Sequence, residues 1–261
     1  MQNKFDTIVI GGGLGGLTAG ATLAKLGKKV LLLEQHYIPG GCATTFKRKD
    51  YLLEVGLHEL DGLFDKDDKQ KIFQFLEVDK HVQFLQAPEL FRYKSRTTDF
   101  VHPHGNKETI EALIKRFPEE EKGIRKYVSY LDGVLTDISR YPHARWKQLL
   151  LFPVMPLLYR RIIGSSMQTL GGWLDRHFDS EELKLILQGN LVYYHDDPYT
   201  MSMFYFCAAQ ASYIGGGGHF VHGGSQQLSN YLASVIEHNG GQVILGKRRQ
   251  GSSSRPTRPL A

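Results

Sequence analysis

The residues best suited to chemistry are three glycines close to the start of the chain. Gly11, Gly13 and Gly16 form a G-x-G-x-x-G pattern that follows an apolar run and opens a stretch with helical spacing. In that context Gly11 permits a tight turn, Gly13 lets the backbone approach a pyrophosphate, and Gly16 lets helix and strand pack closely. The N–H groups at the helix N-terminus, beginning at Leu14, would attract the phosphates. The pattern therefore predicts a dinucleotide-binding site.

An acid and a second glycine pair complete the predicted site. Glu34 ends the next apolar segment, where a carboxylate accepts hydrogen bonds from ribose hydroxyls and disfavours a 2′-phosphate. Gly40 and Gly41 follow and would place backbone beside the same pyrophosphate. This order resembles the two-dinucleotide-binding flavoproteins, so we expect FAD rather than NAD as the resident cofactor. The competing interpretations are a glycine-rich turn with a surface glutamate, and a plain loop at the second pair.

The elements that position these groups are a strand, a helix and a second strand. Residues 5–10 alternate little between apolar and polar and are β-branched at Thr7, Ile8, Val9 and Ile10, which is typical of a strand buried on both faces. Apolar residues at helical spacing follow up to Leu26, and Gly27 supplies a left-handed stop. Residues 29–33 form the second apolar strand, which completes a parallel βαβ unit of about thirty residues.

The rest of the chain has a mixed pattern. Short strand candidates lie within residues 82–101, and two amphipathic helices at 106–117 and 119–139 are separated by a proline. A helix that Ser225 can cap and a strand at 242–245 close the pattern.

These patterns predict an α/β fold in which a Rossmann-like FAD-binding domain is combined with an α+β substrate domain. The predicted limits are 1–80 for the Rossmann part, 81–212 for the substrate domain, 213–247 for a return to the FAD-binding domain, and 248–261 for a tail expected to be disordered.

Charge and cysteine usage exclude several classes of protein. The formal net charge of +5 resides in the last fifteen residues, which hold five basic side chains and no acid. The remaining 27 basic and 27 acidic residues balance, so no nucleic-acid binding is expected. Cys42 and Cys207 lack metal-ligand spacing, which argues against a disulfide scaffold and a metal site and fits a reducing compartment. We therefore expect a cytoplasmic protein, with a peripheral membrane contact as described below. No apolar run reaches the roughly 18 residues of a membrane span.

Three sequence segments narrow the flavoprotein class. Residues 33–46 contain Leu-Glu-Gln-His and then Pro-Gly-Gly-Cys, and residues 54–58 read Glu-Val-Gly-Leu-His. The third segment is the glycine cluster at 217–225. Together they resemble the retinol saturases, which belong to the phytoene desaturase and carotenoid isomerase superfamily. The resemblance covers essentially residues 1–247 and adds Gly56 to the expected cofactor-binding residues.

The resemblance implies a flavin-dependent oxidoreductase acting on a carbon–carbon double bond of an apolar polyene or isoprenoid. Reduction is the reaction of the retinol saturases, and desaturation or isomerisation of a carotenoid is the alternative, with NAD or NADP as the implied electron partner. Because the flavin carries the hydride chemistry, no obligatory side-chain triad is expected. His58 is the candidate acid–base residue, since imidazole titrates near neutral pH, with a packed histidine as the competing interpretation.

The chain departs from that family in length. Family members are considerably longer and return to complete the flavin site, whereas the match here ends near Lys247, before a polar continuation. We therefore expect that the C-terminal half is missing and that the sequence is about half of a working enzyme. A truncated, non-catalytic remnant is the alternative from another class of function.

The most apolar stretch of the chain indicates a membrane contact. Residues 149–158 are apolar and contain two prolines, which exclude a regular spanning helix. Basic residues flank this stretch, namely Arg145, Lys147, Arg160 and Arg161. We therefore expect a peripheral contact of residues 149–163 with anionic headgroups. The competing interpretation places the stretch in the core of the substrate domain.

Overall fold

A computed structural model of the chain describes residues 4–64, 67–193 and 195–246. These residues form two compact units. The first unit comprises residues 4–59, 73–85 and 220–246, and the second comprises the described residues of 60–72 and 86–219. The tail predicted at 248–261 lies outside the described residues.

The helices and strands have the following bounds in the described residues. The strands are β1 (Thr7–Ile10), β2 (Val30–Leu33), β3 (Thr45–Arg48), β4 (Tyr51–Glu54), β5 (Leu60–Asp61), β6 (Phe84–Gln86), β7 (Phe91–Lys94), β8 (Asp99–His102), β9 (Gly218–Val221) and β10 (Gln242–Ile244). The α-helices are α1 (Leu14–Lys25), α2 (Asp68–Leu76), α3 (Val78–His81), α4 (Asn106–Arg116), α5 (Glu121–Ser139), α6 (Arg145–Leu151), α7 (Met155–Leu158), α8 (Arg160–Ser166), α9 (Leu170–Asp175), α10 (Glu181–Leu187), α11 (Met203–Gly216) and α12 (Gln226–His238). Short 3₁₀ turns lie at Pro118–Glu120, Phe152–Val154 and Leu191–Tyr193.

The first unit is built on a parallel sheet that positions the glycine motif. β1 and β2 pair in register along their whole length, and β10 pairs in parallel with the other side of β2. α1 connects β1 to β2 and packs against α12. The two helices approach closely at Gly20, where a Cβ would come within 2.9 Å of the Ile236 Cδ1. The parallel βαβ unit and the α/β class predicted from the sequence are therefore confirmed.

Within the described residues, this sheet is well covered on only one face. Val9 of β1 and its register partner Leu32 face α1, and Leu32 is fully buried. Ile8 and Ile10 point to the opposite face and are 59% and 56% exposed. The prediction that residues 5–10 are buried on both faces is therefore wrong. The reason is that α1 and α12 pack on the opposite face of the sheet and, among the described residues, Ile8 and Ile10 are left uncovered.

β3 and β4 form an antiparallel hairpin in the same unit. Its turn places Lys49 at a φ of 55°, in the left-handed region. All hairpin strand residues except half-buried Thr45 are exposed, and they include Phe46, Tyr51 and Leu52. The hairpin thus presents apolar side chains to solvent.

The second unit has a helical core. α5 packs against α4 and α11, and its Tyr127 is buried in the same cluster as Phe206 of α11. The amphipathic helices predicted at 106–117 and 119–139 are confirmed as α4 and α5, with the proline between them in a 3₁₀ turn. In this unit β5 and β9 pair antiparallel, as do β7 and β8.

Candidate dinucleotide-binding site

The turn between β1 and α1 contains the three glycines of the fingerprint. Gly11 has a φ of +100°, which favours glycine, and its N–H donates to the Leu33 carbonyl oxygen at 2.8 Å. A Cβ on Gly16 would overlap the Gly11 carbonyl oxygen. A Cβ on Gly13 would instead meet nothing within 4 Å. The fold itself thus requires Gly11 and Gly16, whereas Gly13 borders the open space in front of the helix.

The N-terminus of α1 offers backbone donors to that space. Gly13 is the N-cap residue, and its carbonyl oxygen accepts a hydrogen bond from the Leu17 N–H at 2.9 Å. The N–H groups before Leu17, starting at Leu14, have no intrahelical carbonyl to bind. Among the described residues, no acidic side chain lies in the first turn and no side chain caps it. The positive end of the helix is therefore open to an anion.

Glu34 ends close to the same turn. The residue is 8% exposed, its Oε2 accepts the Gly12 N–H at 2.5 Å, and its Oε1 accepts the His36 N–H at 2.7 Å. Burial raises the pKa of this carboxyl group, but the N–H donors of His36, Gly12 and Gln35 outweigh it and bring the pKa below the ordinary 4.5. Glu34 is therefore ionised at neutral pH, and backbone donors stabilise its charge.

Gly12 is a site residue that the sequence reasoning missed. A Cβ at this position would lie 3.0 Å from the Glu34 Cβ. The Gly12 carbonyl oxygen also accepts the Gly40 N–H at 2.6 Å, so this residue connects the acid with the second glycine pair. The fingerprint leaves the position unspecified, and the available signal was the run of three consecutive glycines.

The second glycine pair lies directly against the first motif. Gly40 forms a β-bridge with Gly13, and a Cβ on Gly41 would come within 3.2 Å of the Gly13 Cα. Gly40 and Gly41 have φ values of 127° and 61°, so both conformations favour glycine. The structure thus brings the two glycine motifs into backbone contact, while their shared role in binding a cofactor stays a prediction.

A small open cavity of about 190 Å³ lies beside these glycines. Its lining consists of Gly13, Leu14, Gly40, Cys42, Ala43, Gly56 and Leu57. Gly56 packs closely against another lining residue, since a Cβ there would come within 3.2 Å of the Cys42 Cβ. Pockets for whole small molecules measure about 300–1,000 Å³, so this cavity fits part of a dinucleotide, such as its pyrophosphate.

His58 lies two residues after Gly56 but is not brought into the cavity. The residue is exposed, and it is absent from the lining described above. Its role as an acid–base residue therefore stays a prediction that the geometry of this cavity does not support.

Helix α12 holds the segments around the second glycine pair. Ser225 donates to the Glu54 carboxylate through its N–H at 2.8 Å and its hydroxyl at 2.5 Å. The buried Ser229 hydroxyl donates to the Ala43 carbonyl oxygen at 2.7 Å. Ser225 occupies the N-cap position, but its hydroxyl makes no capping bond to the helix, so the predicted side-chain cap is wrong. Ser225 has helical backbone angles, with φ of −59° and ψ of −22°, whereas a residue whose side chain caps a helix typically has extended backbone.

The part of the chain that the structure describes contains neither a cluster of metal ligands nor a membrane-spanning helix. No group of three or more His, Cys, Asp or Glu residues has the geometry to hold a metal ion. No helix in the same residues is long and apolar enough to cross a bilayer.

The chain is similar to known proteins over almost its whole length. Residues 9–77 match the family described as NAD(P)-binding Rossmann-like domain. The all-trans-retinol 13,14-reductase of Homo sapiens is 31% identical over 262 residues, covering 94% of this chain and 41% of the human protein. The chain is a homologue of the retinol 13,14-reductases. The predicted resemblance to retinol saturases, in the phytoene desaturase and carotenoid isomerase superfamily, is thereby confirmed.

The chain is also similar to a carotenoid isomerase and to an amine oxidase. The chloroplastic prolycopene isomerase of Daucus carota is 36% identical over 129 residues, 48% of this chain and 21% of that protein. The cyclohexylamine oxidase structure from Brevibacterium oxydans matches 92% of this chain and 51% of its own, with a TM-score of 0.57 and 18% identity. At that identity the likeness shows the fold alone. The chain spans about 41% of the length of the human retinol reductase.

Proposed function

We propose that this chain binds FAD and belongs to an oxidoreductase that reduces a carbon–carbon double bond of an apolar polyene or isoprenoid. The observation that supports FAD as the cofactor is the contact between the two glycine motifs at the open N-terminus of α1, with ionised Glu34 beside them. The retinol reductase and prolycopene isomerase relatives support the polyene as substrate.

The residues of the site fit the adenosine diphosphate part of FAD. Gly13, Gly40 and Gly41 leave backbone without side chains at the place where a pyrophosphate would lie. The N–H groups beginning at Leu14 would bind its oxygens, and Glu34 would accept hydrogen bonds from the ribose hydroxyls. A bound flavin would supply the hydride chemistry. The contribution of these residues is therefore to bind and orient the cofactor.

The substitution Gly13→Ala tests this site with little disturbance of the fold. Gly13 has a φ of −71°, which alanine adopts readily, and a Cβ would meet nothing within 4 Å. We expect the variant to unfold at the same urea concentration as the wild type. It should bind FAD about tenfold more weakly or worse, a loss of about 1.4 kcal/mol, because the methyl group fills the pyrophosphate position. Flavin fluorescence titration measures the affinity.

Gly164→Ala is the matched control for this experiment. Its Cβ would lie 3.8 Å from the Tyr130 hydroxyl, which is an ordinary contact, and the position belongs to the second unit. Stability and FAD affinity should both stay unchanged in this variant. Equal FAD affinity of the Gly13→Ala variant and the wild type would contradict the proposed site, and a wild-type chain that binds no FAD would contradict the cofactor.

The products distinguish reduction from the second candidate reaction. Reduction of retinol adds two hydrogens and needs an electron donor, for which we propose NADH or NADPH, whereas isomerisation leaves the mass unchanged. The prolycopene isomerase relative makes isomerisation the second candidate. Mass spectrometry of products from retinol and from a cis-carotenoid separates the two. FAD binding without any product would favour the non-catalytic alternative.

A cytoplasmic location is part of the proposal. Cys42 and Cys207 are both free thiols in the described structure. Free thiols without a disulfide framework are typical of proteins in a reducing compartment, which supports this location.

A further inference from the structure

A stretch of the second unit carries only positive charge. Between Asp137 and Asp175 the sequence contains no acidic residue. The same stretch contains five basic residues, which are Arg140, Arg145, Lys147, Arg160 and Arg161. Arg161 is paired with Asp137 at 3.1 Å. Arg145, Lys147 and Arg160 are exposed and have no acidic partner within salt-bridge distance among the described residues. Their charge therefore faces solvent uncompensated.

Large apolar side chains are exposed beside these cations. No residue of α6, the following 3₁₀ turn or α7 is buried. Leu149, Phe152 and Leu157 are 77%, 72% and 76% exposed, and Trp146 is 64% exposed. The competing interpretation, that residues 149–158 line the core of the substrate domain, is therefore wrong. Contiguous exposed apolar groups of this size mark an interaction surface.

The geometry of this surface fits the plane of a membrane interface. Pro153 and Pro156 divide the apolar residues into α6, a 3₁₀ turn and α7, each far too short to span a bilayer. The chain before α6 and the chain after α7 are in contact, because the Tyr159 hydroxyl donates to the Arg140 carbonyl oxygen at 3.1 Å. The Tyr141 and Tyr159 rings also contact each other, with centroids 5.3 Å apart. The exposed apolar side chains of this stretch are therefore flanked on both sides in the sequence by exposed basic residues.

We propose that this apolar–basic segment, residues 145–163, inserts into the headgroup region of a bilayer that contains anionic lipid. Charge complementarity selects this partner, since anionic headgroups match the three unpaired cations and the acyl boundary accepts the apolar side chains. A protein partner or a second copy of this chain would equally cover apolar groups but would have to supply acidic residues. The proposal stands independently of the proposed reaction. Such a contact would bring the protein to a polyene substrate dissolved in the bilayer.

Trp146 provides a direct probe of insertion. The chain has two tryptophans, and the other, Trp173, is buried at 2% exposure, so a change in emission on lipid binding reports on Trp146. We expect a blue shift with vesicles of phosphatidylcholine and phosphatidylserine, and a much smaller shift with phosphatidylcholine alone. The shift should weaken as salt shortens the Debye length from about 10 Å at 0.1 M to about 3 Å at 1 M. A Trp146→Phe variant should lose the signal but still co-sediment with the vesicles.

Two variants separate the apolar and the cationic contributions. The double variant Phe152→Ser/Leu157→Ser should reduce vesicle binding about a hundredfold, because each buried apolar side chain contributes about tenfold or more. The triple variant Arg145→Gln/Lys147→Gln/Arg160→Gln should remove the preference for anionic vesicles. The affinity for these vesicles should fall about fivefold for each charge removed. Leu185→Ser and Lys107→Gln, at exposed positions outside the segment, are the matched controls and should bind as the wild type does.

The outcomes decide between the possible partners. Equal binding by the wild type and both variants would overturn the proposal. Absent vesicle binding, together with self-association in light scattering that the serine variant abolishes, would assign the segment to a second copy instead. If circular dichroism shows that the serine variant misfolds, the glutamine variant decides, because its substituted side chains are all exposed.

Discussion

At the scale of single residues, Glu34 combines a structural task with its proposed binding task. Its two oxygens accept N–H groups from Gly12 and His36, so the carboxylate holds the glycine turn against the end of β2. The lone pairs that remain could accept the ribose hydroxyls. Loss of the charge should therefore lower stability as well as cofactor affinity.

The substitution Glu34→Gln measures the structural task. Glutamine keeps the size but turns an NH₂ group toward one of the two N–H donors, so we expect a loss of about 1.5–3 kcal/mol in the free energy of unfolding. The pKa of Glu34 is lowered in the folded state, so its stabilising effect is complete above the ordinary pKa of 4.5 and is lost as pH falls through the lowered value. The difference between wild type and variant should thus be constant from neutral pH down to about 5 and shrink at lower pH.

Urea titrations across that pH range check this expectation. Glu237→Gln, an exposed position on α12 in the same unit, is the control and should change stability by less than about 0.5 kcal/mol. A stability difference for Glu34→Gln that grows as the pH falls would show that the lowered pKa is wrong.

At the scale of elements, α12 determines whether the second glycine loop is held in place. Its Ser229 hydroxyl is the donor to the Ala43 carbonyl oxygen, across 186 positions of sequence. Ser234 on the same helix donates only to its own helix, at the Tyr231 carbonyl oxygen. The two serines therefore form a natural pair of test and control positions.

We expect Ser229→Ala to destabilise the protein by about 1–3 kcal/mol, because the Ala43 carbonyl oxygen loses its buried donor. The loop with Gly40 and Gly41 should also become more mobile, so FAD affinity should fall. Ser234→Ala should change the free energy of unfolding by less than about 0.5 kcal/mol. Urea unfolding and FAD titration of both variants provide the measurements, and equal effects would show that α12 does not hold the loop.

Elements with strong local signals could be predicted, and contacts between distant segments could not. Helices α4 and α5 follow from apolar periodicity with a proline between them. The β-branched run within residues 5–10 predicts a strand, but its pattern does not reveal that one face of the strand is left exposed. The Ser225 hydroxyl was assigned to its own helix because the sequence cannot show that Glu54 lies beside it. Gly12 was missed for the same reason, since its partner Glu34 is brought there by the sheet.

At the scale of the whole molecule, the first unit leaves a large apolar surface uncovered in the described residues. The side chains concerned lie on the open sheet face and on the hairpin, and each is at least 47% exposed: Ile8, Ile10, Phe46, Tyr51 and Leu52. Parallel sheets are normally covered on both faces, so this unit is unusual for its class. We expect an exposed apolar surface of this extent to promote self-association at high protein concentration.

We expect the free edge of β1 to promote aggregation of the protein on heating. β1 pairs with β2 on one side only within the described sheet, so its other edge can add a strand from another molecule. Ile8→Lys should raise the onset temperature of light scattering without changing circular dichroism, whereas Val192→Lys, at an 82% exposed position in the second unit, should not. Equal onset for both variants would place the aggregating surface elsewhere. β1 runs directly into the Gly11 turn, so a ligand bound at this turn should also stabilise the strand against such aggregation. Purified protein should therefore stay in solution longer with FAD than without it.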